Sequence, residues 1–344
     1  MEDNIPASEE NEKAEEQEQM AQEEPKKENE EMKLLASKVA AIKAELAKMI
    51  IGQEELVELM LMALFTKGHV LIEGIPGVAK TMSARLLSKC IDSAFSRIQF
   101  TPDLMPADVL GSAVFDQEKS SFEFKQGPIF SNLILIDEVN RAPAKTQSAL
   151  IEVMEERQVS VDGKSYQMDE PFFIVATQNP IEQEGTYQLP EAQLDRFVFR
   201  VRLNYPGLKD EVAILKRYAS DFEQDESEIN KVINSDELKE IHALVEKVYI
   251  KDEVIDYIAK IIDLSRRSQH LYLGASPRAS LWLLKVSKAF AAMQGRDFVT
   301  PDDVKYLAPF VLNHRVILSH ERELEGLETE EVIRELIEEI EVPR

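Results

Sequence analysis

From residue 32 onward the apolar positions fall into a helical rhythm. Leu35, Val39, Ile42, Leu46 and Met49 recur at spacings of four and three, which puts them on one stripe of an α-helix. Ile51-Gly52-Gln53 interrupts that stripe, and Leu56, Leu59, Met60 and Leu64 carry a second one. The pattern then changes. Short, near-continuous apolar runs occupy residues 69–72, 97–100, 133–136, 172–176 and 197–201. Such runs suit strands buried on both faces, and the segments between them are long enough for crossover helices. The expected fold is therefore α/β, a parallel sheet of five strands wrapped by helices.

Two stretches break the alternation. Val114-Phe115 and Phe122-Glu123-Phe124 flank the polar residues 116–121, which predicts a β-hairpin inserted within a helical segment. A second hairpin is expected over residues 158–168, with Asp162-Gly163 as its tight turn. After Tyr205-Pro206-Gly207 the strand signal ends, and every periodic segment to the C-terminus is helical. Ser276-Pro277 and Thr300-Pro301-Asp302-Asp303 read as helix starts, each with an N-cap residue and proline at the first helical position. There are no internal repeats. Three parts are expected: an acidic, disordered tail over residues 1–31, an αβα core over 32–206 and a helical lid domain over 207–344.

Composition narrows the function classes. Residues 1–31 hold 13 acidic and 3 basic side chains and almost no aliphatic ones, too little apolar surface to offset chain entropy. The whole chain has a formal charge of −24 and no block of five Lys/Arg, so nucleic acid is an unfavoured partner. No apolar run approaches the ~18 residues of a membrane span. The N-terminus does not read as a secretory signal. The single cysteine, Cys90, cannot pair within the chain and sits in an apolar helical stretch, as a core residue would. A cytoplasmic protein is expected.

Candidate chemistry begins after the first apolar run, at Gly74-Ile75-Pro76-Gly77-Val78-Ala79-Lys80-Thr81. A glycine-bearing loop between a strand and a helix lets backbone N–H groups curl around phosphates, and the helix N-terminus adds partial positive charge. Lys80 is then placed for the β- and γ-phosphates and the Thr81 hydroxyl for Mg²⁺. Ala79 stands where the common pattern has a second glycine, a position alanine fills if its dihedrals are already helical. Leu133-Ile134-Leu135-Ile136-Asp137-Glu138 supplies the complementary half, two carboxylates at the C-terminal edge of a buried strand. Asp137 is the candidate Mg²⁺ ligand, and Glu138 the candidate group that polarises the attacking water. Ala176-Thr177-Gln178-Asn179-Pro180 places an amide at another strand tip, although Asn-Pro is also an ordinary turn.

In this order the motifs resemble those of an AAA+ core. Four further phrases resemble the MoxR family: Phe100-Thr101-Pro102-Asp103-Leu104-Met105-Pro106-Ala107-Asp108, Gly127-Pro128-Ile129-Phe130, Asp137-Glu138-Val139-Asn140-Arg141-Ala142, and Leu189-Pro190-Glu191-Ala192-Gln193-Leu194-Asp195-Arg196-Phe197. The resemblance covers roughly residues 35–320. It implies ATP and Mg²⁺ as ligands, with the nucleotide held by Ile51, Gly52 and the loop from Gly74 through Lys80, Thr81 and Met82. It further implies that Asn179 is the sensor-1 residue and that Arg196 is an arginine finger reaching a neighbouring subunit. Arg278, in Gly274-Ala275-Ser276-Pro277-Arg278, takes the sensor-2 position, with contact to the γ-phosphate in cis. Arg141, Arg200 and Arg202 stand as rival fingers. The function implied is ATP-driven remodelling or maturation of client proteins by a ring of identical subunits, a hexamer, with a von Willebrand factor A domain partner. The alternatives are a nucleic-acid motor and a nucleotide-dependent scaffold with little turnover. No metal-binding histidine spacing and no Gly-x-Ser-x-Gly elbow occurs, and Trp282 is expected in the core.

Overall fold

The structure, a computed structural model, describes residues 29–75, 77, 80–161, 163–180, 186–220 and 226–343. Helix α1 covers residues 29–47, so order is present three residues before the expected start at Met32, and the rest of the acidic tail lies outside the described residues. The predicted stripe of α1 is buried, from Leu35 to Leu46 and on to Met49. Gly52 turns the chain with φ of +74°, and α2 (Glu54–Phe65) buries Leu56, Leu59, Met60 and Leu64.

The core follows as β1 (Val70–Gly74), α3 (Lys80–Cys90), β2 (Phe95–Gln99), α4 (Pro106–Leu110), β3 (Gly111–Asp116), β4 (Ser121–Gln126), β5 (Leu133–Asp137), α5 (Ala144–Glu156), β6 (Gln158–Val161), β7 (Lys164–Gln167), β8 (Phe173–Gln178), α6 (Glu191–Leu194) and β9 (Phe199–Leu203). Strands β2-β5-β8-β1-β9, in that order, form one wholly parallel sheet. All five predicted strands are present, each shifted by at most two residues from the predicted start. The reason for their continuous apolar character is visible in the core. Leu133, Leu135, Val70, Ile72, Phe173 and Val175 pack in one hydrophobic cluster, while Ile134, Ile136, Leu71, Ile174 and Ala176 pack in the other. Successive side chains point to opposite faces, and helices cover both. Cys90 belongs to the first cluster, and burial pushes its thiol up to about 12.

Both hairpins are present. β3 and β4 pair antiparallel from Gly111↔Gln126 to Asp116↔Ser121, directly after α4. β6 and β7 pair from Gln158↔Gln167 to Val161↔Lys164, with Gly163 at φ +74° in the turn. The first hairpin leaves the core through a neck of two glycines. A Cβ on Gly111 (φ +99°) would fall 2.2 Å from the Lys125 carbonyl oxygen, and one on Gly127 would fall 2.3 Å from that of Val109. Backbone cannot yield as a flexible side chain does. Gly127→Ala should therefore lower stability by about 1–3 kcal/mol, the usual cost of overpacking, read as a lower urea midpoint at unchanged slope. An unchanged midpoint would show that the neck adapts freely.

The remaining elements are α7 (Leu208–Ser220), α8 (Ser235–Lys247), α9 (Asp252–Arg267), β10 (Leu271–Leu273), α10 (Pro277–Met293), α11 (Pro301–Leu312), β11 (Ile317–Leu318), α12 (His320–Leu324) and α13 (Thr329–Glu338). This part is helical as expected, with one addition. β10 and β11 form a small antiparallel pair, three and two residues long, too short to leave a periodic signal. α11 starts as predicted, with Thr300 accepting from the Asp303 N–H in a capping box. Ser276 occupies the N-cap position of α10, but its side chain makes no capping bond and is used elsewhere. Trp282 is not fully in the core. It is half-buried at the seam between core and lid, where a Cβ on Gly68 would lie 3.2 Å from its ring. No helix among the described residues is long and apolar enough to cross a membrane.

Candidate functional site

The C-terminal ends of three adjacent strands, β5, β8 and β1, make one edge of the site. Pairing of Ile136 with Ala176 and of Glu73 with Gln178 fixes their relative heights. Asp137, Asn179 and the loop after Gly74 are consequently neighbours. This edge is where ligands bind in open parallel sheets. In the loop, Gly77 adopts φ +89°, a conformation open to glycine at no steric cost. Pro76, Val78 and Ala79 lie outside the described residues. Lys80 opens α3, and its ammonium donates to the Gly74 carbonyl (2.6 Å), closing the loop on itself. Thr81 and Met82 follow, half-buried, in the first turn of α3. The first N–H groups of that helix have no partners within it and point toward the loop.

The two acids are organised by Thr177, Arg97, Gln99 and Arg141, none of which had this role among the sequence expectations. Thr177 joins them, its hydroxyl donating to Asp137 Oδ1 (3.0 Å) while accepting from the Glu138 N–H (3.0 Å). Arg97 donates to Asp137 Oδ2 at 2.7 Å. Gln99 Nε2 and Arg141 hold Glu138 Oε2, at 2.8 and 3.2 Å. Glu138 itself sits in the left-handed region, φ +58° and ψ +52°. A non-glycine residue there costs on the order of 1–3 kcal/mol and persists only where its surroundings over-determine it, which is common at functional sites. The signal for Arg97 and Gln99 lay inside the second apolar run. Both are polar residues in a strand next to β5, and Gln99 is registered directly against Asp137.

Mg²⁺ suits this donor set. Thr81 and Asp137 offer hard oxygen ligands. Asp137 is 7% exposed and needs a cationic partner, whereas the Arg97 side chain that supplies one is 53% exposed and can withdraw. Gly52 faces the first lid helix, since a Cβ on it would lie 2.9 Å from the Asp210 carboxylate of α7, and Ile51 precedes it, half-buried. Asn179 is buried, two residues beyond Thr177.

Arg196 and Arg278 form a second centre. Both guanidiniums pair with one carboxylate, Glu155, which takes Arg278 at 2.7 Å on one oxygen and Arg196 on the other. Burial, and then the adjacent positive charge of Arg278, hold the Arg196 guanidinium below its ordinary range. Glu155 ends α5, the helix that runs back from the Asp137-Glu138 edge, and Arg196 precedes β9. The pair thus lies at the N-terminal edge of the sheet, with Gly68 and His69 in the same cavity, of about 500 Å³. The phosphate loop stands at the other end of β1, roughly 15 Å away at about 3.3 Å per residue. The lid docks α10 against the N-terminal edge, through Trp282 on Gly68, and so places Arg278, for which a cis contact was expected, on Glu155 at the end of β1 away from its own phosphate loop. The rival fingers are engaged within their own chain: Arg141 pairs with Glu138 and Arg200 with Glu73, while Arg202 bonds Glu328 of the lid at 2.5 Å and lies 3.8 Å from Glu73. His69 is structural. Burial lowers it to about 3, and its neutral ring accepts from the Ile174 N–H and donates to the Met154 carbonyl.

The similarities to known proteins agree with this geometry. Residues 69–199 match the ATPase family associated with various cellular activities (AAA), and residues 264–336 match the AAA lid domain. Chaperone MoxR1 of Mycobacterium tuberculosis is 39% identical over 309 residues, 87% of this chain and 81% of that protein. An uncharacterised Bacillus subtilis protein, YeaC, is 44% identical over 86% of this chain and 92% of its own length. The crystal structure of a candidate ATPase from Cytophaga hutchinsonii superposes with a TM-score of 0.85 at 40% identity, covering 93% of this chain and 99% of that one. With the phosphate loop, the paired acids, the two hairpins and the helical lid in this arrangement, the chain belongs to the MoxR family of AAA+ ATPases.

Proposed function

We propose that this protein hydrolyses ATP at sites shared between neighbouring subunits of a homo-oligomeric ring, a hexamer, and uses the resulting motion to remodel or mature client proteins. One observation carries the reading: the phosphate loop and the Arg196–Arg278 pair occupy opposite edges of one sheet. A single chain cannot bring both to the same nucleotide. Head-to-tail contact between copies can, and such heterologous contacts close into rings. In each site the N–H groups at the start of α3 and Lys80 bind the phosphates, while Thr81 and Asp137 hold Mg²⁺, which supplies charge neutralisation there. Ile51, Gly52 and Met82 border the nucleotide. Glu138 accepts a proton from the attacking water, with Asn179 orienting that water from the neighbouring strand tip. Arg196 and Arg278 of the adjacent copy stabilise the charge on the transferred phosphoryl group. Work on a protein client, with a von Willebrand factor A domain partner and in the cytoplasm, is the reading that membership of the MoxR family supports. The chaperone name of the Mycobacterium tuberculosis relative agrees with it.

The test is ATPase rate per subunit against protein concentration, with light scattering on the same samples. The expected outcome is a specific rate that rises as subunits assemble, and that EDTA abolishes. A constant specific rate from monomer to assembly would mean a site complete within one chain. Assembly without turnover at any concentration would favour the scaffold reading.

A further inference from the structure

The turn that carries Arg196 is held from outside the core, by the lid. Beyond α11 the chain reads Asn313-His314-Arg315, and these side chains reach successive points between Asp195 and Arg200. Arg315 Nε donates to Asp195 Oδ1 at 2.7 Å. Its terminal nitrogens donate to the carbonyls of Asp195 (2.9 Å), Val198 (3.1 Å) and Phe197. His314 Nε2 donates to the Phe197 carbonyl (3.0 Å), and Asn313 Nδ2 donates to that of Arg200 (3.0 Å). From the other side Ser276, two residues before Arg278, donates to Asp195 Oδ2 at 3.0 Å. This is the hydroxyl that leaves its N-cap position unserved.

Asp195 therefore receives the lid on both carboxylate oxygens, one residue before Arg196. The Arg315 side chain has no solvent exposure. A fully buried guanidinium is unfavourable unless its charge and donors are all met, and the end of a helix can be capped by far simpler means. The arrangement does something a cap does not: it immobilises the backbone on both sides of Arg196. That matters because Arg196 and Arg278 repel each other while sharing the single carboxylate of Glu155. Without a rigid turn, Arg196 would relax away from its neighbour into solvent.

We propose that Arg315 and Asp195 are positioning residues for Arg196, locking it in register with Arg278 so that the lid of one subunit sets the charge presented to the next subunit's nucleotide. The proposal rests on the reading of Arg196 as a finger acting in trans. Its consequence is that Arg196 and Arg278 travel as one block with the lid, instead of one on the core and the other on the lid.

The test is steady-state kcat and KM for ATP, at concentrations where assembly is complete, for Asp195→Asn, Arg315→Lys, Ser276→Ala and Arg196→Ala, and for each of the first three combined with Arg196→Ala. Asp195→Asn and Arg315→Lys are expected to lower kcat by about 10- to 100-fold, the scale of a displaced catalytic group, with KM within about two-fold of wild type. Neither should lower kcat further once Arg196 is already alanine. Ser276→Ala keeps Arg315 in place and gives a smaller loss, again absent in the Arg196→Ala background, so the idea stays testable if a stronger variant unfolds. Wild-type kcat in Asp195→Asn and Arg315→Lys, or losses that multiply with that of Arg196→Ala, would overturn the proposal. An Arg196→Ala protein with normal kcat would instead remove the finger reading on which it stands.

Discussion

Glu138→Gln is expected to bind ATP with near-normal affinity and to lose turnover by at least about 10²-fold, within the 10²–10⁴ range of general-base contributions. The substitution keeps shape and most contacts. A glutamine carbonyl can still accept from Gln99 and Arg141, and the bond from the backbone N–H of residue 138 to Thr177 does not involve the side chain. What disappears is a carboxylate able to take a proton. Phosphate binding depends on Lys80 and the start of α3, across β8 from this residue, so affinity should change by no more than a few-fold. Fluorescent-nucleotide titration beside a phosphate-release assay separates the two quantities. Loss of binding and turnover together would mean that Glu138 holds the site together and has no chemical role. Retention of turnover would assign the base elsewhere.

Arg196→Ala carries the second large effect. Arginine fingers contribute on the order of 10³–10⁵ in rate where they have been measured in nucleotide hydrolases, and a loss at the lower end of that range is expected here. Arg278 stays on Glu155 and retains part of the positive charge opposite the neighbouring nucleotide. Arg278→Ala should act in the same direction. Because both arginines sit at the edge remote from their own phosphate loop, each variant should keep its own nucleotide affinity and lose kcat. Equilibrium ATP binding measured with kcat checks this. A raised dissociation constant with unchanged kcat would return Arg278 to a cis role.

The parts of this molecule legible in the sequence are those in which local pattern and environment coincide. Leu133-Ile134-Leu135-Ile136 announces a doubly buried strand because each face of the sheet has its own core, and the acids that close the run stand at the ligand edge. Glycine and proline placement marked the loop after β1, the second hairpin and the starts of α10 and α11, and apolar pairs flanking a polar stretch marked the first hairpin. Contacts made across the fold left no such trace. Ser276 reads as a helix cap, yet its hydroxyl is bonded to Asp195 some 81 residues away in sequence. Arg278 carries the motif of a residue beside its own nucleotide, but α10 docks at the opposite edge, a matter of how two domains meet and not of any local signal. Arg97 and Gln99 were hidden by the run that contains them, since their role exists only through the register of β2 on β5. Trp282 has helical spacing and looks like core, whereas its ring lies at the core–lid seam with Lys285 5.0 Å from it.

The central claim, that each site is completed by the neighbouring copy, is tested most directly by mixing two inactive proteins. Glu138→Gln subunits retain Arg196, and Arg196→Ala subunits retain Glu138. Where an Arg196→Ala subunit presents its nucleotide to a Glu138→Gln neighbour, the base and the finger are both intact. ATPase activity measured across mixing ratios should therefore return partially, with a maximum at intermediate ratios, while each variant alone stays inactive. Activity that never exceeds the sum of the two separate proteins, although mixed assemblies form, would contradict shared sites and the ring mechanism built on them.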